Sequence, residues 1–303
     1  INMSIRPILE KKNSTQVLEG AGVKLDRAFG FGDTSQFDPF LLLDDFRNNN
    51  PIDYQKGFPW HPHRGIETIT YILKGSVEHK DSLGNSGELS DGDLQWMTAG
   101  SGILHQEMPK GNNLGQMHGF QLWANLPSSL KMTSPNYQDV KSSEIRVIKD
   151  DDGTIIKIVI GNYKGYAGVI NGIASNPQYF DIYVPPNKIK KIPIPTYDNC
   201  FAYIFEGSAQ FDYSSKPQGV KIEKSYNNED YTIKDLSGNK TLITFDTGDE
   251  IKLLSGNDGV RFLLVSGNPI QEPIAWHGPI VMNTNTEIQQ AMYELNNGTF
   301  IKE

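Results

Sequence analysis

Two short residue pairs carry the chemistry in this chain: His61 with His63, and His105 with Glu107. Each pair is spaced i, i+2, and on a β-strand residues two apart point to the same face. If both segments are strands, each offers two metal-type ligands side by side, and a chain that turns back between them brings all four together. Three neutral imidazoles and one carboxylate suit a borderline divalent ion: iron, copper, nickel, manganese, cobalt or zinc. No thiolate lies nearby, which argues against a structural zinc site of the cysteine type. Four protein ligands leave two positions of an octahedral ion open to a substrate oxygen, O2 or water, as in non-haem oxygenases rather than closed structural sites.

The neighbouring titratable residues are assigned lesser roles. Read as one continuous strand, residues 61–73 put Glu67 on the face of His61 and His63, where it is a ligand or a partner of an imidazole. His79 falls in a hairpin and is expected at the surface. His118 precedes an apolar strand and is expected to pack or cap. His277 lies outside the β-rich segments and receives no role. Asp44 and Asp45 close the apolar run Phe40–Leu43 and read as turn-forming acids at a strand end.

These residues need strands to hold them, and the chain supplies strands throughout. Its 29 glycines and 17 prolines punctuate many short apolar runs, the texture of an all-β protein. ITYILKGS (69–76) aligns with FAYIFEGS (201–208), and the turn DGD (91–93) with TGD (247–249). An internal duplication of one β-domain accounts for both matches. Carried through this alignment, His61 and His63 fall on Pro193 and Pro195, and His105 and Glu107 fall near Arg261 and Leu263. The second copy is therefore expected to bind no metal. The expected domains are 1–126, holding the metal ligands, a polar linker at 127–145, and 146–303, ending in a helix. That helix has Thr284 as N-cap with Glu287 three residues on, an apolar stripe of Ile288, Met292 and Leu295, and a stop at Asn297-Gly298.

The whole composition narrows the function. With a net charge of −8, the chain is a poor candidate for binding DNA or anionic membranes directly. No apolar run approaches the roughly eighteen residues of a membrane span. The single cysteine, Cys200, sits in an apolar run. The first residues lack the apolar core of a secretory signal, so a reducing, cytoplasmic location is expected, with the nucleus added in a eukaryote.

At the level of motifs, the first copy resembles a cupin, whose first motif carries His-x-His ahead of a Glu and a Gly and whose second supplies a later His. It departs from the general cupin pattern in the closeness of Gly57 to His61 and in AGSGILHQE. Those departures resemble the pirin branch, as do HPHRGIETITYIL, GDLQWMTAGSGILHQEMP, GFQLWANLP, DPFLLLDDF and HGPIVMNTNTEIQQA. The resemblance spans nearly the full chain. It implies two cupin-type (double-stranded β-helix or jelly-roll) barrels in tandem, with a short linker and a C-terminal helix. It also implies a metal in the N-terminal barrel alone, held by His61, His63, His105 and Glu107. Fe(II) is the usual ion, with Cu, Mn, Co, Ni or Zn as alternatives.

The activity this resemblance implies is that of a quercetin 2,3-dioxygenase, cleaving a flavonol or a similar enol with O2. Glu107 would be both ligand and catalytic base for the enol hydroxyl. The alternative is a metal-containing, redox-sensing module that docks on a protein partner, as a transcriptional cofactor or a regulator of a metabolic enzyme.

Overall fold

The computed structural model describes residues 3–170, 174–211, 224–226, 229–231 and 236–302. The chain is mostly β, with a C-terminal helix over Asn285–Asn296. The first twelve strands are β1 (Ile8–Asn13), β2 (Thr15–Glu19), β3 (Val23–Phe29), β4 (Phe40–Asp45), β5 (Phe58–His63), β6 (Ile66–Lys74), β7 (Ser76–Asp81), β8 (Ser86–Leu89), β9 (Leu94–Thr98), β10 (Ile103–Lys110), β11 (His118–Asn125) and β12 (Asn136–Val140).

Residues 14–146, 169–176 and 268–303 form one compact unit. It contains a seven-stranded sheet in the order β12-β9-β6-β11-β4-β3-β2 and a four-stranded sheet in the order β5-β10-β7-β8. Inside the larger sheet, β6 reads IETITYILK, six of its nine residues β-branched or aromatic, and it is buried over its first seven residues. Such residues fit a pleated surface covered on both faces.

The other unit comprises residues 1–13, 147–168 and 177–267. Its sheet runs from β1 through Thr241–Phe245, Asn199–Phe211, Glu250–Gly267, Gln178–Val184 and Ile155–Ile160 to Arg146–Lys149. Its core is aliphatic and aromatic, with Ile158, Ile182, Ala202, Ile204, Phe211 and Phe262 all buried. Cys200 is buried there, and burial pushes its thiol up to about 12, so it is an inert packing residue. Arg261 is held in a bidentate pair with Asp181 (2.9 and 2.6 Å).

These units differ from boundaries drawn along the sequence in three places. First, β1 pairs with Thr241–Phe245, so the N-terminal strand is part of the second sheet. Buried Arg6 fixes that segment, donating to the carbonyls of Gly248 (2.9 Å), Asp198 (2.8 Å) and Pro195 (2.6 Å). Second, residues 127–145 are no linker. β12 pairs with β9 from Asn136↔Thr98 to Val140↔Leu94. Nearby, the buried Lys131 ammonium donates to Gly65 O, Asn125 Oδ1 and Val281 O (2.9, 2.6 and 2.9 Å). Proline and polar residues gave that stretch the look of a linker, whereas Lys131, Val140 and Ile145 within it are buried.

The third difference is the tail. The C-terminal helix begins as expected, with Thr284 Oγ1 accepting from Glu287 N. Its apolar stripe packs on Ile280, Met282 and Phe300 within the first unit. Arg64, the residue after His63, ties it down: the guanidinium donates to Ser101 O (2.7 Å), Glu294 Oε2 (2.6 Å) and Phe300 O (2.9 Å). Burial alone would raise the Glu294 carboxyl, but hydrogen bonds from Gln290, Lys302 and Arg64, with the Arg64 charge, outweigh it and hold the group at about 2. The folded value lies below the unfolded one, so this contribution is present above about pH 4.5 and is lost as pH falls towards 2. Glu294→Gln should lower stability at pH 7 by about 2 kcal/mol and flatten the loss between pH 4.5 and 2. Urea titrations across that window check this; parallel losses in variant and parent would show that the pair is not the source.

Candidate metal centre

β5 and β10 lie side by side and antiparallel, with His61 opposite His105 and Ile103 opposite His63. The register shifts between His105 and Glu107, so Glu107 faces Phe58. Such bulges re-aim side chains and recur beside functional sites. The ligand-type atoms of His61, His63 and His105 all lie within 4.8 Å of one another, as do those of His79, His105 and Glu107. His105 thus belongs to both groups.

The imidazoles are set up to present lone pairs. His61 Nδ1 lies 2.8 Å from Pro59 O and His63 Nδ1 3.2 Å from Pro279 O. A carbonyl can only accept, so each Nδ1 carries the proton and each Nε2 is bare. The two bare Nε2 atoms face each other across 3.2 Å, and His105 Nε2 is 2.8 Å from that of His61. Two acceptors so close repel unless a cation lies between them. Adjacent ligands on an octahedral ion at about 2.1 Å sit about 3 Å apart, close to the spacings found. Burial lowers all three imidazoles from their ordinary value, His63 and His105 furthest, with neighbouring imidazoles adding to it for each. They are neutral at pH 7, the form that ligates. The cluster fits a divalent transition metal.

Glu107 is buried and lies 3.5 Å from Thr70 Oγ1, and burial pushes its carboxyl up to about 7 against that weak contact. With His61 and His63 it lines a cavity of about 600 Å³, within the range of pockets that enclose small organic ligands. From the cluster outward the wall is aromatic: His63 packs edge-on to Trp123 (5.1 Å), Trp123 lies 6.1 Å from Trp276, and Trp276 meets Phe31 at 5.5 Å. Phe31 and Trp60 are exposed at the mouth.

Several residues stand where the sequence did not put them. Glu67 does not share the histidine face. Gly65, at φ +81°, breaks the run into β5 and β6, which belong to different sheets. Glu67 Oε1 accepts instead from Thr98 Oγ1 at 3.0 Å. His79 is buried, not exposed: it pairs across the strands with Glu107, stacks on Tyr137 at 5.0 Å and lies 5.3 Å from the His105 ring. Its signal was the alternation Val77, His79, Asp81, all buried on one face of β7. Asp44 and Asp45 are the last two residues of β4, at the strand end as expected, but they are buried and ion-paired rather than turn-forming. Asp44 accepts two bonds from Arg27, both 2.8 Å, and Asp45 accepts from Arg47 with His118 Nε2 at 3.3 Å. His118 therefore packs against an acid on the far face of that strand, and His277 is exposed.

The family models for pirin and for the pirin C-terminal cupin domain match residues 22–124 and 179–301. A pirin-like protein of Caulobacter vibrioides is 38% identical over 299 residues, covering 98% of this chain and all of the relative. The chain belongs to the pirin family. Pirin of Homo sapiens is 37% identical to it, over 94% of this chain and 90% of the human one. Among solved structures, this pirin matches a quercetin 2,3-dioxygenase from Acinetobacter baumannii at a TM-score of 0.83 and 30% identity, over 98% of both chains. No helix among the described residues is long and apolar enough to cross a membrane.

Proposed function

We propose that this pirin is a metal-dependent dioxygenase that cleaves a flavonol or a similar enol with O2, as a quercetin 2,3-dioxygenase does. The observation that carries the reading is the convergence of three neutral imidazoles, two with their bare nitrogens fixed by backbone carbonyls, beside a buried carboxylate on one wall of an aromatic-lined cavity. The likeness to the Acinetobacter baumannii enzyme supports it.

His61, His63, His105 and Glu107 would hold the ion, Fe(II) in the first instance. When bound, such an ion supplies Lewis-acid and one-electron chemistry at the point the imidazoles share. The protein's own work is binding, orientation and proton transfer. Glu107 lies on the cavity wall where an enol hydroxyl approaches the imidazoles, and as a carboxylate it accepts that proton. Trp123 and Trp276 line the cavity and supply aromatic surface to an aromatic substrate. Leu25, Leu42, Phe46 and Val77 also line the cavity and keep the site dry, which strengthens every charge interaction in it. The reaction consumes one O2 and releases carbon monoxide and a depside.

The test is oxygen uptake after adding quercetin to metal-stripped protein and to protein reloaded with Fe(II), Cu(II), Mn(II), Co(II) or Ni(II). The reading predicts uptake that returns with metal, together with loss of flavonol absorbance and release of carbon monoxide. Absence of uptake with every ion would refute it.

A further inference from the structure

A row of polar side chains crosses the seven-stranded sheet on the cavity face. Register pairs Arg27 with Asp44, Asp44 with Gln121, Gln121 with Thr70, and Thr70 with Gln95. Residues directly opposite in neighbouring strands stand side by side on one face. Arg27, Asp44, Gln121 and Thr70 all line the cavity, and Thr70 is the one that approaches Glu107. From Thr70 to Arg27 is three strand spacings, roughly 14 Å.

The bonding along this row is unfinished. The Thr70 hydroxyl spends its single proton on Gln121 Oε1 at 2.7 Å. The Gln121 side chain has no other hydrogen-bond partner among the described residues, which leaves its Nε2 donors available on the cavity wall. Beyond it, Arg27 holds Asp44 through two bonds and Glu19 through a third, all 2.8 Å. Each Asp44 oxygen retains a second lone pair, and Asp44 is 6% exposed. Two carboxylates against one guanidinium leave one negative charge. Burying such a group in a sheet face costs free energy that apolar packing would not. A neutral hydroxyl, which both donates and accepts, completes this site; an anion meets a like charge.

We propose that Asp44, Gln121 and Arg27 form a second subsite that binds the phenolic hydroxyls of an aromatic substrate whose reacting end lies at Glu107, and that it selects hydroxylated aromatics over bare or carboxylated ones. This deepens the dioxygenase reading and rests on it for the orientation of the substrate.

The experiment compares quercetin with 3-hydroxyflavone, which shares the reacting end and lacks the ring hydroxyls. Binding of each is followed by tryptophan quenching on Zn(II)-loaded protein, and oxygen uptake with each is measured on Fe(II)-loaded protein. The parent should bind quercetin about tenfold more tightly, the worth of one or two hydrogen bonds. Asp44→Asn and Gln121→Leu should each remove most of that preference and leave 3-hydroxyflavone binding unchanged. Gln121→Leu serves where Asp44→Asn fails to fold, since Gln121 is only half-buried and carries no charge. Equal binding of the two flavonols by the parent, no binding of either, or variants that keep the full preference would overturn the subsite. A parent that discriminates in binding yet consumes no oxygen keeps the subsite and sinks the dioxygenase reading. Oxygen uptake with the same KM for both flavonols does the reverse.

Discussion

Glu107→Gln should leave a folded protein whose oxygen uptake with quercetin falls by about 10²- to 10⁴-fold, the usual worth of a positioned general base. The amide has the same shape as the carboxyl. Burial already disfavours the charged form, pushing the group up to about 7, so an uncharged side chain at this position does not burden the fold. The amide cannot accept the enol proton, and it is a poorer donor to a cation. Measured kcat at saturating metal, with the thermal midpoint as a control for folding, isolates the loss of the base from weaker metal binding. Turnover at the parental rate would remove Glu107 from the role of base.

His105→Ala should weaken metal binding on the order of 100-fold or more, because residues that merely orient ligands already cost 10- to 100-fold when lost. His105 is fully buried, and its ring centroid lies 4.3 Å from that of His61 and 4.9 Å from that of His63. Its removal leaves His61 and His63 as a pair, with Glu107 on the same strand but past the bulge. His277→Ala is the control, since that side chain is exposed. Competition for Co(II) against a chromophoric chelator gives both affinities. Equal affinities in the parent and His105→Ala would place the ion elsewhere.

The clustering of the three imidazoles was legible in the sequence because its logic is local. Two pairs spaced i, i+2 need only strands to align them, and the β5–β10 register does so directly. What escaped depends on residues far apart along the chain. Gly65 is the one local sign of the break between β5 and β6, and a lone glycine in a strand-like run is a weak one. The reason lies in the tail, where a Cβ at Gly65 would meet Val281 O at 2.0 Å. The same tail supplies Pro279 O, which fixes the proton on His63, and a carbonyl has no signature in a sequence. The polar row takes one residue from each of several strands, and Arg27, Asp44, Thr70 and Gln121 become neighbours only once the order of the sheet is known. Alone, each reads as a turn acid or a surface polar group.

The central claim is that the three imidazoles hold a metal ion open to the cavity, and titration of metal-stripped protein with Co(II), followed by its visible ligand-field bands, tests it most directly. The account predicts one Co(II) per chain, bands that disappear in His105→Ala, and a shift of those bands when quercetin is added without oxygen. Binding that survives loss of His105, or bands that ignore saturating quercetin, would contradict it.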